Sequence, residues 1–200
     1  LEAVYKMAVR KRKANEDRPE GEKLAELQRV RLGSRLLAYL PLRITDELVA
    51  ILKEFKEKAS AVGVSQFIIQ THFQSPLEVT PEAKRAIRAI LDAGWVITNQ
   101  LVYTVAASRR GHTAKLRQTL NSVGVICYYT FSVKGFNENY AVFTPNSRSL
   151  QEQYEEKIFG RVPEDKLVEL DDIVTNKRPL GKKLVNFLKE NHLLFAATDR

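Results

Sequence analysis

Four short apolar runs in this sequence end in polar side chains, and those endings are where its chemistry can sit. Ser34 and Arg35 follow the first run, Thr71 and His72 the second, Asn99 and Gln100 the third, and Tyr129 with Ser132 the fourth. In parallel α/β proteins ligands bind beyond the carboxyl ends of the strands. One polar strand end says little, and His72 alone reads more readily as a structural histidine. Four together point to a ligand-binding face. Other site types lack support. There is no GxGxxG and no GxxxxGK[ST], and Gly181-Lys182 lacks the glycine spacing of a phosphate loop. The three histidines have no zinc-like spacing. The single cysteine, Cys127, reads as a small buried strand residue. No serine occupies a nucleophile elbow. No metal ligand and no catalytic residue is assigned.

The elements that must position these endings alternate. Residues 1–14 read as a helix with Leu1, Val4, Tyr5, Ala8 and Val9 on one face. A polar linker follows, then a short turn of helix at 23–27 and a strand at 29–32. Thr45 is the expected N-cap of a helix whose stripe is Leu48, Ile51, Leu52 and Phe55, with Gly63 as its stop. Phe67-Ile68-Ile69 is the next strand. Thr80 then caps, Pro81 takes the first helical position, and Gly94 ends that helix. Trp95-Val96-Ile97 opens a third strand, 112–123 is a helix stopped by Gly124, and 125–129 is a fourth strand. Apolar runs without alternation imply strands buried on both faces, hence parallel pairing and right-handed crossovers. The order therefore describes part of a (β/α) barrel or of an open doubly wound sheet. After Ser132 the rhythm breaks. A strand is expected at 140–143, and Ser149 with Glu152 has capping-box spacing for a helix through Ile158. Residues 161–200 read as a polar connection, a helix at 180–191 and an apolar Leu193-Leu194-Phe195. The expected division is 1–160 for the βα units and 161–200 for an incomplete α-rich C-terminal appendage.

Composition bounds the rest. The chain has 200 residues, 44% hydrophobic and 28% charged, an ordinary globular balance with room for a real core. No apolar run reaches the roughly 18 residues of a membrane helix. One cysteine excludes an internal disulfide and agrees with a reducing cytoplasm. Net charge is +8, densest at Arg10-Lys11-Arg12-Lys13. No aromatic residues interleave with that run as a base-stacking surface requires, so it reads as a solvated helix end and no nucleic-acid partner is expected. The chain opens on Leu1 inside an apparent helix and stops at Arg200 without a terminating signal, so a piece of a longer protein is expected.

The segments Arg31-Leu32-Gly33-Ser34-Arg35-Leu36, Leu40-Pro41-Leu42-Arg43-Ile44-Thr45 with Glu47-Leu48-Val49, Thr71-His72-Phe73 with Pro76, Glu78 and Thr80, Asp92-Ala93-Gly94, Asn99-Gln100 and Tyr128-Tyr129 come in order over about half the chain. Together they resemble the lysine 2,3-aminomutase family of radical S-adenosylmethionine enzymes. The resemblance implies a partial (β/α) barrel of the radical SAM type, with this chain supplying its later strands. It implies three cofactors: a [4Fe–4S] cluster, S-adenosylmethionine and pyridoxal phosphate. The cluster's CxxxCxxC motif is absent here, and the family's motif lies upstream of the matching region. The pyridoxal lysine belongs to a glycine-rich segment near the family's carboxyl end, which Ala197-Thr198-Asp199-Arg200 resembles in approach.

By the same resemblance Arg35, His72 and Gln100 fall on cofactor-binding positions at the barrel mouth. Arg35 suits a carboxylate or phosphate; Gln100 and His72 suit ribose or carboxylate. Arg43 also matches, without an assigned role. Tyr129, Phe131 and Lys134 fall near the substrate. The departures are specific. Val105-Ala106-Ala107-Ser108 stands where the family has arginine-glycine-valine-asparagine, and Phe131 stands for a tyrosine. Lys134 stands for an aspartate that holds a distal ammonium, a pattern glutamate 2,3-aminomutases resemble. The alternative is a shifted loop in which Lys134 is simply exposed.

The implied activity is an isomerase reaction, radical migration of an amino group on lysine or glutamate, with this chain inactive by itself. The implied setting is cytoplasmic, with a small amino-acid substrate, no membrane, and a homo-oligomer left open. Two other readings stand beside it: another barrel enzyme acting on an anionic substrate, and a basic α/β module binding nucleic acid or protein.

Overall fold

The computed structural model describes residues 1–102, 104, 112–131, 142 and 162–192. Two compact units are present, one of residues 1–102 with 116–131, the other of 103–115 with 132–200.

The first unit is built on four parallel strands, β1 (Arg29–Gly33), β2 (Gln66–Thr71), β3 (Val96–Val102) and β4 (Ile126–Phe131). They lie in the order β1-β2-β3-β4. Each crossover adds the next strand on the same side, with no reversal of order. That is the winding of a barrel segment, and no switch point of a doubly wound sheet occurs among these strands. The helices are α1 (Glu2–Lys13), α2 (Leu36–Tyr39), α3 (Asp46–Ala61), α4 (Pro81–Asp92) and α5 (His112–Ser122).

The expected caps are present. Thr45 Oγ1 accepts from the Leu48 amide and Thr80 Oγ1 from the Ala83 amide, each satisfying one orphan donor of its helix. Gly63, Gly94 and Gly124 take φ of +97°, +82° and +85°, the left-handed region a helix C-terminus uses to turn into a strand. The core lies between helices and sheet. Phe55, Phe67 and Trp95 meet with ring centroids 5.4 to 6.2 Å apart, and the Trp95 indole donates to the Leu52 carbonyl at 3.0 Å. Trp95 precedes β3 and anchors it to α3.

Several expectations need correction. The strands are buried on both faces only in part: Gln70 with Thr71 and Thr98 with Asn99 are buried in the central β2 and β3, but elsewhere one face is open. In β1 burial alternates: Val30 is buried while Arg29 and Arg31 are exposed. On the sheet face opposite the core, Val96 is 42% and Ile126 53% exposed. The turn of helix expected at 23–27 is instead a 3-10 turn at Glu20–Glu22 followed by extended chain. The reason is Asn15, whose buried amide bonds both the N–H and the carbonyl of Leu24 and holds that segment straight. Within the basic run, Lys11 donates to the Ala25 carbonyl and Arg12 to that of Ala61, so two of its four cations fasten the linker and α3.

The second unit contains α6 (Leu167–Asn176) and α7 (Leu180–Glu190). They pack Leu170, Ile173 and Val174 against Leu184, Phe187 and Leu188. α6 lies in what reads from sequence as polar connection. Its first turn has no side-chain cap and its stripe is short, so the usual start signal is missing. The helix expected at 149–158 lies outside the described residues. So does the strand expected at 140–143, apart from Val142, which sits in a turn.

Candidate functional site

Strand register decides which residues share the open face. Pairing aligns Gly33 with Gln70, Gln70 with Thr98, Thr98 with Ile126, and Gln100 with Tyr129. Side chains two apart on a strand share a face. Arg31 and Gly33, Gln70, Thr98 and Gln100 therefore look away from the core, while Val30, Phe67, Ile69 and Ile97 look into it. The chain leaves β1 at Ser34-Arg35 and β2 at His72, at the same carboxyl edge.

A cavity of about 500 Å³ opens there, lined by Arg31, Ser34, Arg35, Gln70, His72 and Gln100 around Gly33. Arg35, His72 and Gln100 thus converge on one rim. Of the fourth strand, Tyr129 is Gln100's register partner and is 56% exposed on the same face. A bulge between Asn99 and Gln100 shifts the pairing by one residue and brings Tyr129 beside Gln100. Phe131 ends β4, and nothing is described of its side chain. Lys134 lies outside the described residues. Arg31 and Gln70 were not singled out from the sequence. The signal was there in the alternation: Gln70 sits two residues before His72, and Arg31 two before Gly33, next to Ser34 and Arg35.

The rim is held in place locally. The Ser34 amide donates to the Gln70 carbonyl at 2.9 Å, continuing the β1–β2 ladder one residue past β1. The Arg35 guanidinium lies 4.2 Å from the centroid of the Tyr39 ring, one turn along α2. Beyond β2 the loop is clamped by Glu78, whose Oε2 accepts from the amides of Gln74 at 2.6 Å and Ser75 at 3.2 Å. Ser75 and Glu78 form a capping box, so Glu78 is spent on shaping the loop. Asn99 points to the core side and bonds the backbone of Phe73. The polar strand ends therefore divide by face: Gln100 belongs to the cavity and Asn99 to the scaffold.

Electrostatically the cavity is basic. Arg31 and Arg35 line it, and no carboxylate is among the lining residues. The His72 imidazole is held below its ordinary pKa, first by burial, then by the Arg35 charge, while a hydrogen bond with Gln100 acts the other way. His72 is thus neutral at pH 7 and can both donate and accept. Cys127 lies on the core side, its thiol pushed up by burial. Among the described residues no group of three His, Cys, Asp or Glu could hold a metal ion, and no helix is long and apolar enough to cross a membrane.

Fold and site together define a segment of a parallel (β/α) barrel with a cationic, hydrogen-bonding rim at its strand ends. No model of a known protein family matches the chain. Individual proteins do. An uncharacterised KamA family protein of Methanocaldococcus jannaschii is 38% identical over 127 residues, 64% of this chain and 19% of that protein. An L-lysine 2,3-aminomutase of Methanococcus maripaludis is 33% identical over 109 residues, 54% of this chain and 23% of its own length. A glutamate 2,3-aminomutase of Clostridioides difficile is 35% identical over 106 residues, 52% and 23% respectively. Over its matching residues the chain is similar to proteins named for the KamA family and for lysine and glutamate 2,3-aminomutase, the resemblance its motifs imply. It spans about a fifth of the length of these relatives.

Proposed function

We propose that this chain forms part of the catalytic barrel of an isomerase of the 2,3-aminomutase kind, and that its rim holds S-adenosylmethionine. The observation that carries the reading is the convergence of Arg31, Arg35, His72 and Gln100 on one cavity at the strand ends. The donor set suits that ligand. A guanidinium pairs with the methionyl carboxylate, and the Gln100 amide with neutral His72 can bond ribose hydroxyls. S-adenosylmethionine supplies, when bound, the adenosyl group from which radical chemistry starts. This chain's residues bind and orient it and move no proton in that reading.

The other two implied cofactors do not fit this chain's own residues. A cluster needs several thiolates and Cys127 is the only cysteine. No lysine is among the cavity residues to carry pyridoxal phosphate. Both belong to the proposal for a longer polypeptide, and its test is the flanking coding sequence: CxxxCxxC upstream and a glycine-lysine segment downstream would support it, and their absence would refute it. The substrate in this reading is lysine or glutamate, with Tyr129 and Phe131 on its side. By the resemblance Lys134 stands where the family has an aspartate; a lysine facing the substrate there would favour a distal carboxylate, because two cations about 4 Å apart repel by roughly 4 kcal/mol at an effective dielectric of 20, whereas a lysine on a shifted, exposed loop would not.

The direct test is calorimetric titration of the 200-residue chain with S-adenosylmethionine. Binding that drops at least about tenfold in Arg35→Ala and in Gln100→Ala supports the reading. Inorganic phosphate binding with no response to S-adenosylmethionine would favour another barrel enzyme with an anionic substrate, a choice the two arginines also allow.

A further inference from the structure

We infer that Asn99 is a positioning residue for this site: its buried side-chain amide grips both backbone groups of Phe73 and so fixes where His72 presents its imidazole. The inference deepens the rim reading above and takes its functional meaning from it.

The β2–β3 ladder ends at the pair Thr71 and Asn99. Phe73 lies two residues beyond. Its amide donates to Asn99 Oδ1 at 2.6 Å, and its carbonyl accepts from Asn99 Nδ2 at 3.2 Å, both in buried surroundings. A carboxamide carries an acceptor and a donor in one plane, as a peptide unit does. The side chain therefore acts as one more rung after the strand has ended. Losing it would leave two buried backbone groups unpaired. The Phe73 side chain is fully buried, so the residue is held at ring and backbone alike.

His72 sits between two fixed points. Thr71 before it is fully buried in β2, and Phe73 after it is clamped. The next residue on β3, Gln100, faces the cavity and bonds the imidazole. One dipeptide thus holds His72 from two sides, Gln100 at its ring and Asn99 through the backbone that follows. The other groups around the imidazole are Arg35, Arg31 and Gln70.

The test uses the whole chain, with amide hydrogen exchange and NMR titration of the histidine rings. In the unmodified protein the Phe73 amide should be protected like the strand amides of Ile69 and Ile97. In Asn99→Ala it should exchange roughly tenfold faster or more, while Ile87 and Ile90 on α4 keep their protection. His72 should then titrate nearer its ordinary value, because the ring is free to leave the shielded cavity. Thr71→Val is the neighbouring control. The Thr71 hydroxyl is buried without a hydrogen-bond partner, so its removal should leave His72 unchanged. An unmodified Phe73 amide exchanging like open loop overturns the inference, whatever the variant's folding. So does an Asn99→Ala protein in which Phe73 loosens and His72 titrates as before. Neither result bears on S-adenosylmethionine binding by the unmodified chain, so the two readings fail separately.

Discussion

The two faces of the four-stranded sheet obey different rules. On the core face Val30, Phe67, Ile69, Ile97 and Leu101 are buried. Asn99 is bonded at both ends of its amide. On the open face Val96, Ile126 and Tyr129 stay exposed and the polar side chains surround a cavity. Adjacent residues of one strand, Asn99 and Gln100, serve opposite purposes. The core face stores stability, and the open face stores unspent hydrogen-bonding capacity. Substitutions should therefore separate: stability lost on one side, ligand response on the other.

The largest effect is expected at Trp95. It is 2% exposed, packs on Phe55 and Phe67, and bonds the Leu52 carbonyl. Trp95→Ala should cost about 3–5 kcal/mol, read from denaturant midpoints at unchanged slope. A loss under about 1 kcal/mol would show that the core face is not what holds the sheet. Gly94 comes next. Its φ of +82° disfavours any side chain, and a Cβ there would run into the Lys56 side chain. Gly94→Ala should cost about 1–2 kcal/mol by the same measurement, chiefly from the left-handed backbone. On the open face Val96→Thr should stay within about 0.5 kcal/mol, since the side chain is already 42% exposed. A larger loss at Val96 would erase the contrast between the faces.

The same contrast explains what the sequence made legible. Caps and stops write themselves locally: Thr45, Thr80, Gly63, Gly94 and Gly124 each act within one turn, so helix and strand limits fell close to their observed places. The rim was legible because a strand ends where its apolar run ends. The face of a residue was harder, because it depends on register, and register is a property of two strands. Asn99 and Gln100 look alike in a sequence; the pleat sends one to each side, and the pairing with β2 shows which side is which. The short α2 and α6 escaped notice because neither has a side-chain cap, and α2 is only four residues long. Glu78 matched the family as a motif residue, yet its work here is to clamp a loop, which a motif does not reveal.

The smallest expected effect is on protons, and it sharpens the comparison most. His72 sits on the open face, with its pKa lowered by burial first and by Arg35 second, from an ordinary 6.5. Its neutral form is favoured in the folded protein, so the unfolded chain binds the proton more readily. The sign follows: His72 takes nothing from stability above about pH 6.5, and stability falls as pH drops from there through the lowered folded value. His72→Gln should remove that fall, seen as a stability difference from the unmodified protein that grows between pH 7.5 and 5. Arg35→Ala should raise the His72 pKa, because one cation no longer opposes another, yet leave it below the ordinary value, because burial remains. An anion bound between Arg31 and Arg35 should raise it further, since a negative charge favours imidazolium. NMR titration of the ring with and without ligand reads the last two. A His72 pKa indifferent to Arg35→Ala would mean that the guanidinium and imidazole do not share one cavity in solution, and the rim would then be two separate strand ends.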